Sequence, residues 1–360
     1  MGTLTGNYRR AARLLALAAA CLALGGIRAP AAPGRTRRVS YVSMIDVCRW
    51  LGLRFEFSAN GRTMTIENRE HRGVLLPPGR INAREMRLDG VRVFLGDSVR
   101  ETGGRFFVSR TDYEKRLLPL FRPDLLRPRL RPPRLIVIDP GHGGIDPGAQ
   151  NPAYRLQEKK LTLDVALRLR PLLEAQGWTV ILTRTRDTQL STSKLTDLEM
   201  RADIANRRHA DLFLSIHFDA DANPNVRGSE IMTFAPVGQR STDGWGLRED
   251  DSLAEVSPGD RSVPWSNVLA HDLYRSLIRN LRTEDLGERI RHVAVLRYVD
   301  CPGALVEPVF ISNAGEAARA AQPAFRERIA EALAAGLRDY AYELDRLNGR
   351  SAGLSPPRRP

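Results

Sequence analysis

Cysteine is scarce. Three cysteines in 360 residues cannot make a disulfide framework. Cys21 sits in the first apolar segment, which leaves only Cys48 and Cys301 beyond it, and spacing does not say whether these two meet. Long hydrophobic runs are missing too. The apolar run Leu14–Gly25 is too short for a comfortable membrane span. No internal repeat stands out, and no nucleic-acid motif accompanies the charge. Acidic residues are the minority: 42 Asp and Glu stand against 55 Lys and Arg, for a net charge of +13. That balance favours anionic polymers or membrane surfaces, but an arginine-rich solvated surface explains it equally well.

What is present begins with an export signal at 1–33. Arg9, Arg10 and Arg13 precede the apolar run, and Ala29, Ala31 and Ala32 offer small residues for cleavage. Lipidation at Cys21 is disfavoured because Ala18 occupies a position where leucine is usual. The expected location is the periplasm or cell envelope, with membrane contact only through this segment.

Residues 36–120 carry short elements. Tyr41–Leu51 has apolar residues at helical spacing and stops at Gly52. Leu53–Phe57 and Thr63–Glu67 flank Asn60-Gly61, a hairpin signal. Strands follow at Gly73–Leu76, Val91–Leu95 and Arg105–Val108, then a short helix at Asp112–Leu118. This order, in VSYVSMIDVCRWLGLRFEFSANGRTMTI and RVFLGDSVRETGGRFFVSRTDY, resembles the small α+β module at the amino end of copper amine oxidases. The resemblance implies an accessory, binding or spacing, domain. His71 is its only histidine, and it reads as a solvated turn residue, with nothing pointing to copper. The segment 121–134, FRPDLLRPRLRPPR, is a semi-rigid linker because its prolines block helix and extend their neighbours.

From Leu135 to Leu347 strands alternate with helices. Strands are expected at Leu135–Ile138, Trp178–Thr183, Asp211–His217, Gly228–Phe234, Val293–Leu296 and Ala304–Val306. Helices are expected at Leu161–Gln176, Asp197–Arg208, Val268–Leu281 and Pro323–Leu347. The rhythm predicts an α/β fold with helices on both faces of a sheet. Residues 235–265, with Trp245 and Trp265, break it and read as a long surface insertion. Residues 348–360 read as a disordered tail.

Four residues stand where strands end or helices begin. His142 follows the first of these strands in IDPGHGGIDPGA, Glu158 opens a helix, His217 ends DLFLSIH and Glu307 ends ALVE. Open α/β sheets bind ligands at the carboxyl ends of their strands. Two imidazoles and a carboxylate with one open position suit catalytic zinc, and a further carboxylate can move a water proton. His71, His209, His271 and His292 read as structural. Asp139 and Asp146 could orient an imidazole, though turn capping is the plainer role for Asp146. Trp245 and Trp265 could stack on sugars or simply pack. Glycines 141, 143 and 144 are not a phosphate loop, because its lysine and hydroxyl are absent.

The motifs IDPGHGGIDPGA, EKKLTLDVALRL, ADIANRRHADLFLSIHFDA and ALVEPVFISNAGEA, in that order, resemble the zinc-dependent N-acetylmuramoyl-L-alanine amidases of the amidase-3 kind. The resemblance covers about 135–345. It implies a mixed sheet of about six strands flanked by helices, with Zn2+ held by His142, Glu158 and His217. Glu307 is then the catalytic acid/base. The implied substrate is peptidoglycan, at the amide between N-acetylmuramic acid and L-alanine, with a possible protein activator. A monomer is expected, with no nucleic-acid partner. Phe218 and Asp219 replace the family's usual small residue and asparagine, and Pro308-Val309 its small apolar pair with glycine. These departures keep an alternative open: a weakly active or inactive murein-binding protein that retains the fold.

Overall fold

The computed structural model describes residues 39–75, 84–242 and 256–349. The segment expected to be an export signal, Trp245 and most of the tail lie outside them. Sixteen strands are described, in chain order: β1 Tyr41–Ser43, β2 Arg54–Phe57, β3 Met64–Glu67, β4 Arg72–Leu75, β5 Glu85–Leu88, β6 Val91–Phe94, β7 Arg100–Thr102, β8 Arg105–Ser109, β9 Leu135–Pro140, β10 Gln150–Asn151, β11 Leu156–Gln157, β12 Thr179–Leu182, β13 Leu212–Ile216, β14 Ser229–Phe234, β15 Asp285–Arg291 and β16 Gly303–Glu307.

Hydrophobic alternation places the layers. In β9, Ile136 and Ile138 join a core with Val165, Leu169, Leu273 and Leu333, from the helices Glu158–Glu174, Val263–Leu281 and Pro323–Leu347. Val137, between them, joins Phe213, Ala202 and Leu305 in a second core under the helix Lys194–Arg207. Successive side chains of a strand point to opposite faces, so a run apolar at every position is a strand covered on both sides.

The sheet is larger than expected. In place of about six strands it has eleven, ordered β12-β9-β13-β16-β14-β15-β6-β5-β4-β3-β2. Six of these come from the region after Leu135. The other five belong to the amino-terminal module, whose antiparallel run β2 to β6 joins through a parallel pairing of Glu288 in β15 with Val93 in β6. Side chains reinforce the join. Buried Arg116 reaches across to donate to the Glu288 carbonyl at 3.0 Å and to Asn267. The Arg92 amide donates to Asp285 at 2.8 Å. A parallel edge strand left open would expose unpaired backbone groups, and the module covers it. The linker is fastened as well: Trp265 is buried and its Nε1 donates to the Pro128 carbonyl at 3.1 Å.

Two expectations fail locally. Val293–Leu296 is not a strand; a short helix, Ala294–Arg297, stands there, and the strand is β15 just before it. In DLGERIR the buried positions include Gly287 and Glu288, so apolar alternation never announces it. Residues 235–265 are not wholly a surface insertion. Ala235 and Thr242 donate to the carbonyls of Arg291 and Ile290, both at 2.9 Å, and a helix already starts at Val263. Cys48 and Cys301 are both free thiols.

Candidate metal centre

The loop after β9 is fixed before any metal ligand is considered. The Gly141 amide donates to the Ile216 carbonyl at 3.0 Å, tying the loop to the end of β13. Two arginines brace it from beneath. Arg184 donates to the carbonyls of Pro140 at 2.9 Å and Gly141 at 2.8 Å. Arg201 donates to the carbonyls of Pro140 at 3.0 Å and His142 at 2.8 Å. Its charge is met by Asp139 at 2.8 Å and Asp197 at 2.6 Å. The bracing holds His142 at φ 61°, a left-handed conformation that costs a non-glycine residue about 1–2 kcal/mol.

That conformation turns the His142 ring toward Glu158. Its Nε2 lies 3.1 Å from Glu158 Oε2, and its Nδ1 lies 2.9 Å from Asp146 Oδ2. His217, one residue beyond β13, places Nδ1 2.8 Å from Glu158 Oε1. The two imidazole centroids are 4.9 Å apart at 75°. Glu158 is buried and also accepts from the amides of Ala149 at 2.7 Å and Phe218 at 3.1 Å. Burial alone would raise its pKa, but the hydrogen bonds from His142 and His217 hold it well below the usual carboxylate range. One ligand atom from each of His142, Glu158 and His217 lies within 4.8 Å of the other two. The space is kept by missing side chains: a Cβ on Gly141 would fall 2.3 Å from His217 Cε1, and one on Gly148 2.4 Å from Glu158 Oε2.

Glu307, the last residue of β16, pairs in register with Glu230 of β14. It is buried, and its Oε2 has no hydrogen-bond partner among the described residues. Burial, then the carboxylates of Asp219, Glu158 and Glu230, push its pKa well above the ordinary glutamate value. Asp219 is pushed up to about 6 by burial and by Glu230. Glu230 itself faces Arg289 at 2.6 Å and Arg291 at 3.5 Å. Phe218 is wholly buried core, and the Pro308 carbonyl accepts from Ser229 Oγ at 2.7 Å.

The four residues picked out in the sequence therefore converge on one edge of the sheet. Asp146 does both of the jobs weighed for it: it receives the Gly148 amide at 3.1 Å and orients His142. Asp139 touches no imidazole; it accepts from Thr183 at 2.6 Å, Ser215 at 2.8 Å and Arg201. Asn313 caps the helix Ala314–Ala320. Arg184 and Arg201 were not singled out in the sequence. Arg201 lies within the helix Lys194–Arg207 and Arg184 just beyond β12, and no local pattern distinguishes them from the many surface arginines.

A histidine–glutamate–histidine cluster at the carboxyl edge of a mixed, helix-flanked α/β sheet is a donor set that could hold a metal ion. More particularly, residues 136–339 match the Amidase_3 family, N-acetylmuramoyl-L-alanine amidase, and the chain belongs to that family. It is 33% identical over 227 residues to N-acetylmuramoyl-L-alanine amidase AmiC of Neisseria meningitidis, covering 57% of this chain and 52% of that protein. It is 32% identical over 231 residues to AmiA of Salmonella typhimurium, covering 59% and 78%. The chain thus spans about half the length of the first relative and over three quarters of the second. Among solved structures, the catalytic domain of CwlV, an N-acetylmuramoyl-L-alanine amidase from Bacillus (Paenibacillus) polymyxa, superposes with a TM-score of 0.47 at 25% identity, covering 57% of this chain and 97% of that one.

Proposed function

We propose that this chain is an exported zinc-dependent N-acetylmuramoyl-L-alanine amidase that cleaves the amide between the lactyl group of N-acetylmuramic acid and L-alanine in peptidoglycan. The observation that carries the proposal is the convergence of His142 Nε2 and His217 Nδ1 on one buried carboxylate, Glu158, beside the unpartnered oxygen of Glu307. The donor set fits zinc: two imidazoles and one carboxylate, with the far nitrogen of His142 already tied to Asp146. When bound, zinc supplies Lewis acidity toward the scissile carbonyl and lowers the pKa of water near it.

The chain's own residues do the rest. Glu158, His142 and His217 hold the metal. Asp146 keeps the His142 proton on Nδ1, so Nε2 offers its lone pair. Glu307 takes the proton of the attacking water and returns it to the departing alanine nitrogen. Its raised proton affinity suits this role, because it makes the carboxylate a stronger base toward water and keeps the captured proton on the carboxyl until the departing nitrogen takes it. The family's association with the cell wall supports a location outside the cytoplasm. Among the described residues no helix is long and apolar enough to cross a membrane.

Purified full-length protein incubated with murein should release stem peptides with new alanine amino groups. Release should stop with chelator, return with Zn2+, and be absent in Glu307→Gln. Cleavage that survives thorough metal removal would overturn the mechanism.

A further inference from the structure

A second cluster of metal-ligating side chains lies where the amino-terminal module meets the rest of the sheet. His71 sits directly before β4, and Asp89 lies in the turn between β5 and β6. His271 comes from the helix Val263–Leu281 on the other side of the join. His71 Nδ1 is 2.7 Å from Asp89 Oδ2, and His271 Nε2 is 3.2 Å from the same oxygen. One ligand atom from each of the three lies within 4.8 Å of the other two. Their side chains are 10%, 8% and 3% exposed. His71 is therefore not a solvated turn residue, and His271 is more than packing.

The cluster repeats the chemistry of the first one. Each has two imidazoles and one carboxylate, and in each an imidazole's other nitrogen is tied to a further carboxylate. Here that is His271 Nδ1, 2.6 Å from Glu288 Oε1. Such outer carboxylates fix the ring and raise its basicity as a ligand. Further carboxylates surround the cluster. Among the described residues, one buried oxygen each of Asp272 and Glu288 has no hydrogen-bond partner. Glu343 groups with Glu70 around His71. The opposing cations are Arg275, 3.6 Å from Asp89 and a third exposed, Arg116, 3.8 Å from Glu288, and Arg346, which pairs with Glu70 and lies 3.5 Å from Glu343. Arg275 and Arg116 lie beyond hydrogen-bond distance of the carboxylates they face.

We propose that His71, Asp89 and His271 form a second divalent-cation site, of the imidazole–carboxylate kind that zinc fills. It would clamp the amino-terminal module to the catalytic region. Two of its ligands come from the module and one from the catalytic region, so binding is possible only in the docked arrangement, and a bound ion stabilises that arrangement by mass action. The site is separate from the His142 centre and does not depend on its assignment.

The test is zinc stoichiometry by calorimetry and elemental analysis on the full-length, metal-stripped protein. The wild type should take up two equivalents. The His142→Ala/His217→Ala variant should keep one, and its thermal midpoint should rise with added Zn2+. His71→Ala should lose one equivalent while retaining murein cleavage. Asp89→Asn, nearly isosteric, should lose the same equivalent and guards against misfolding of the alanine variant. Uptake by His71→Ala and Asp89→Asn equal to that of the wild type overturns the proposal, whatever the first centre binds. If the first centre were the misassigned one, the wild type would take one equivalent, lost in His71→Ala and kept in His142→Ala/His217→Ala.

Discussion

Arg201 donates to the backbone carbonyl of His142 at 2.8 Å from beneath the site. One buried guanidinium thereby fixes the left-handed residue that aims the imidazole, and it does so without touching the reacting space. It is paired with two carboxylates, Asp139 and Asp197. The geometry of the candidate metal centre is thus supported by a charge network at the base of the loop.

Replacing Arg201 with methionine keeps much of the volume and removes the charge. Breaking a buried pair leaves its carboxylates uncompensated, at a cost of about 3–5 kcal/mol. Urea unfolding of Arg201→Met should show a midpoint lowered accordingly, and zinc affinity should fall because His142 is no longer held. A variant as stable as the wild type would show that the network is idle.

Asp146→Asn leaves the Gly148 turn contact possible but weakens the acceptor facing His142 Nδ1. Loss of such an outer partner typically costs 10–100-fold in metal affinity. Competition with a chromogenic chelator should show that drop, with the folding midpoint of the metal-free protein little changed.

Gly148 and Gly177 both adopt positive φ, 65° and 86°. A Cβ at Gly148 meets Glu158 Oε2 at 2.4 Å, whereas one at Gly177 meets nothing within 4 Å. Alanine at either position should cost about 1–2 kcal/mol in backbone strain. Only Gly148→Ala should also lose zinc binding and murein cleavage. Equal zinc affinity in the two variants would contradict the crowded-cradle reading.

Glu307→Gln separates function from stability. Removing a general acid/base typically costs 10²–10⁴-fold in rate. The metal-free protein should nevertheless gain stability at pH 7–8. Burial and neighbouring carboxylates raise the folded pKa of Glu307, so between the unfolded value of about 4.3 and the folded one, the folded state holds a proton that the unfolded state has released. Stability therefore falls as pH rises through that window. The Glu307→Gln advantage should grow from near zero below pH 4 to its maximum above the folded pKa. A thermal-unfolding series showing no advantage at pH 8 would refute this.

Much of the candidate site was legible because its residues sit in short motifs with strong local character. Leu135–Ile138 is apolar at every position and then stops at Asp-Pro-Gly, so strand, turn and His142 are all readable. Glu158 opens an amphipathic helix, and His217 and Glu307 end apolar runs. β15 was not legible, because its inward positions hold Gly287 and Glu288. Glu288 tolerates burial only because His271 and Arg116 meet it from other elements. For the same reason His71 and His271 each looked like a lone structural histidine. They are 200 positions apart in the chain, and nothing local to either one announces the other.

The sequence alone determined which residues are candidates for the chemistry, because strand ends, helix starts and ligand types are local properties of the chain. The tertiary structure decided what surrounds them. It placed Arg201 and Arg184 under the loop, gave Asp146 to His142, and left Glu307 buried with an unpaired oxygen among carboxylates. It also merged the module's five strands with the six of the catalytic region into one sheet. Those are long-range pairings of charge and backbone, and their stability depends on burial and on partners that no local pattern encodes.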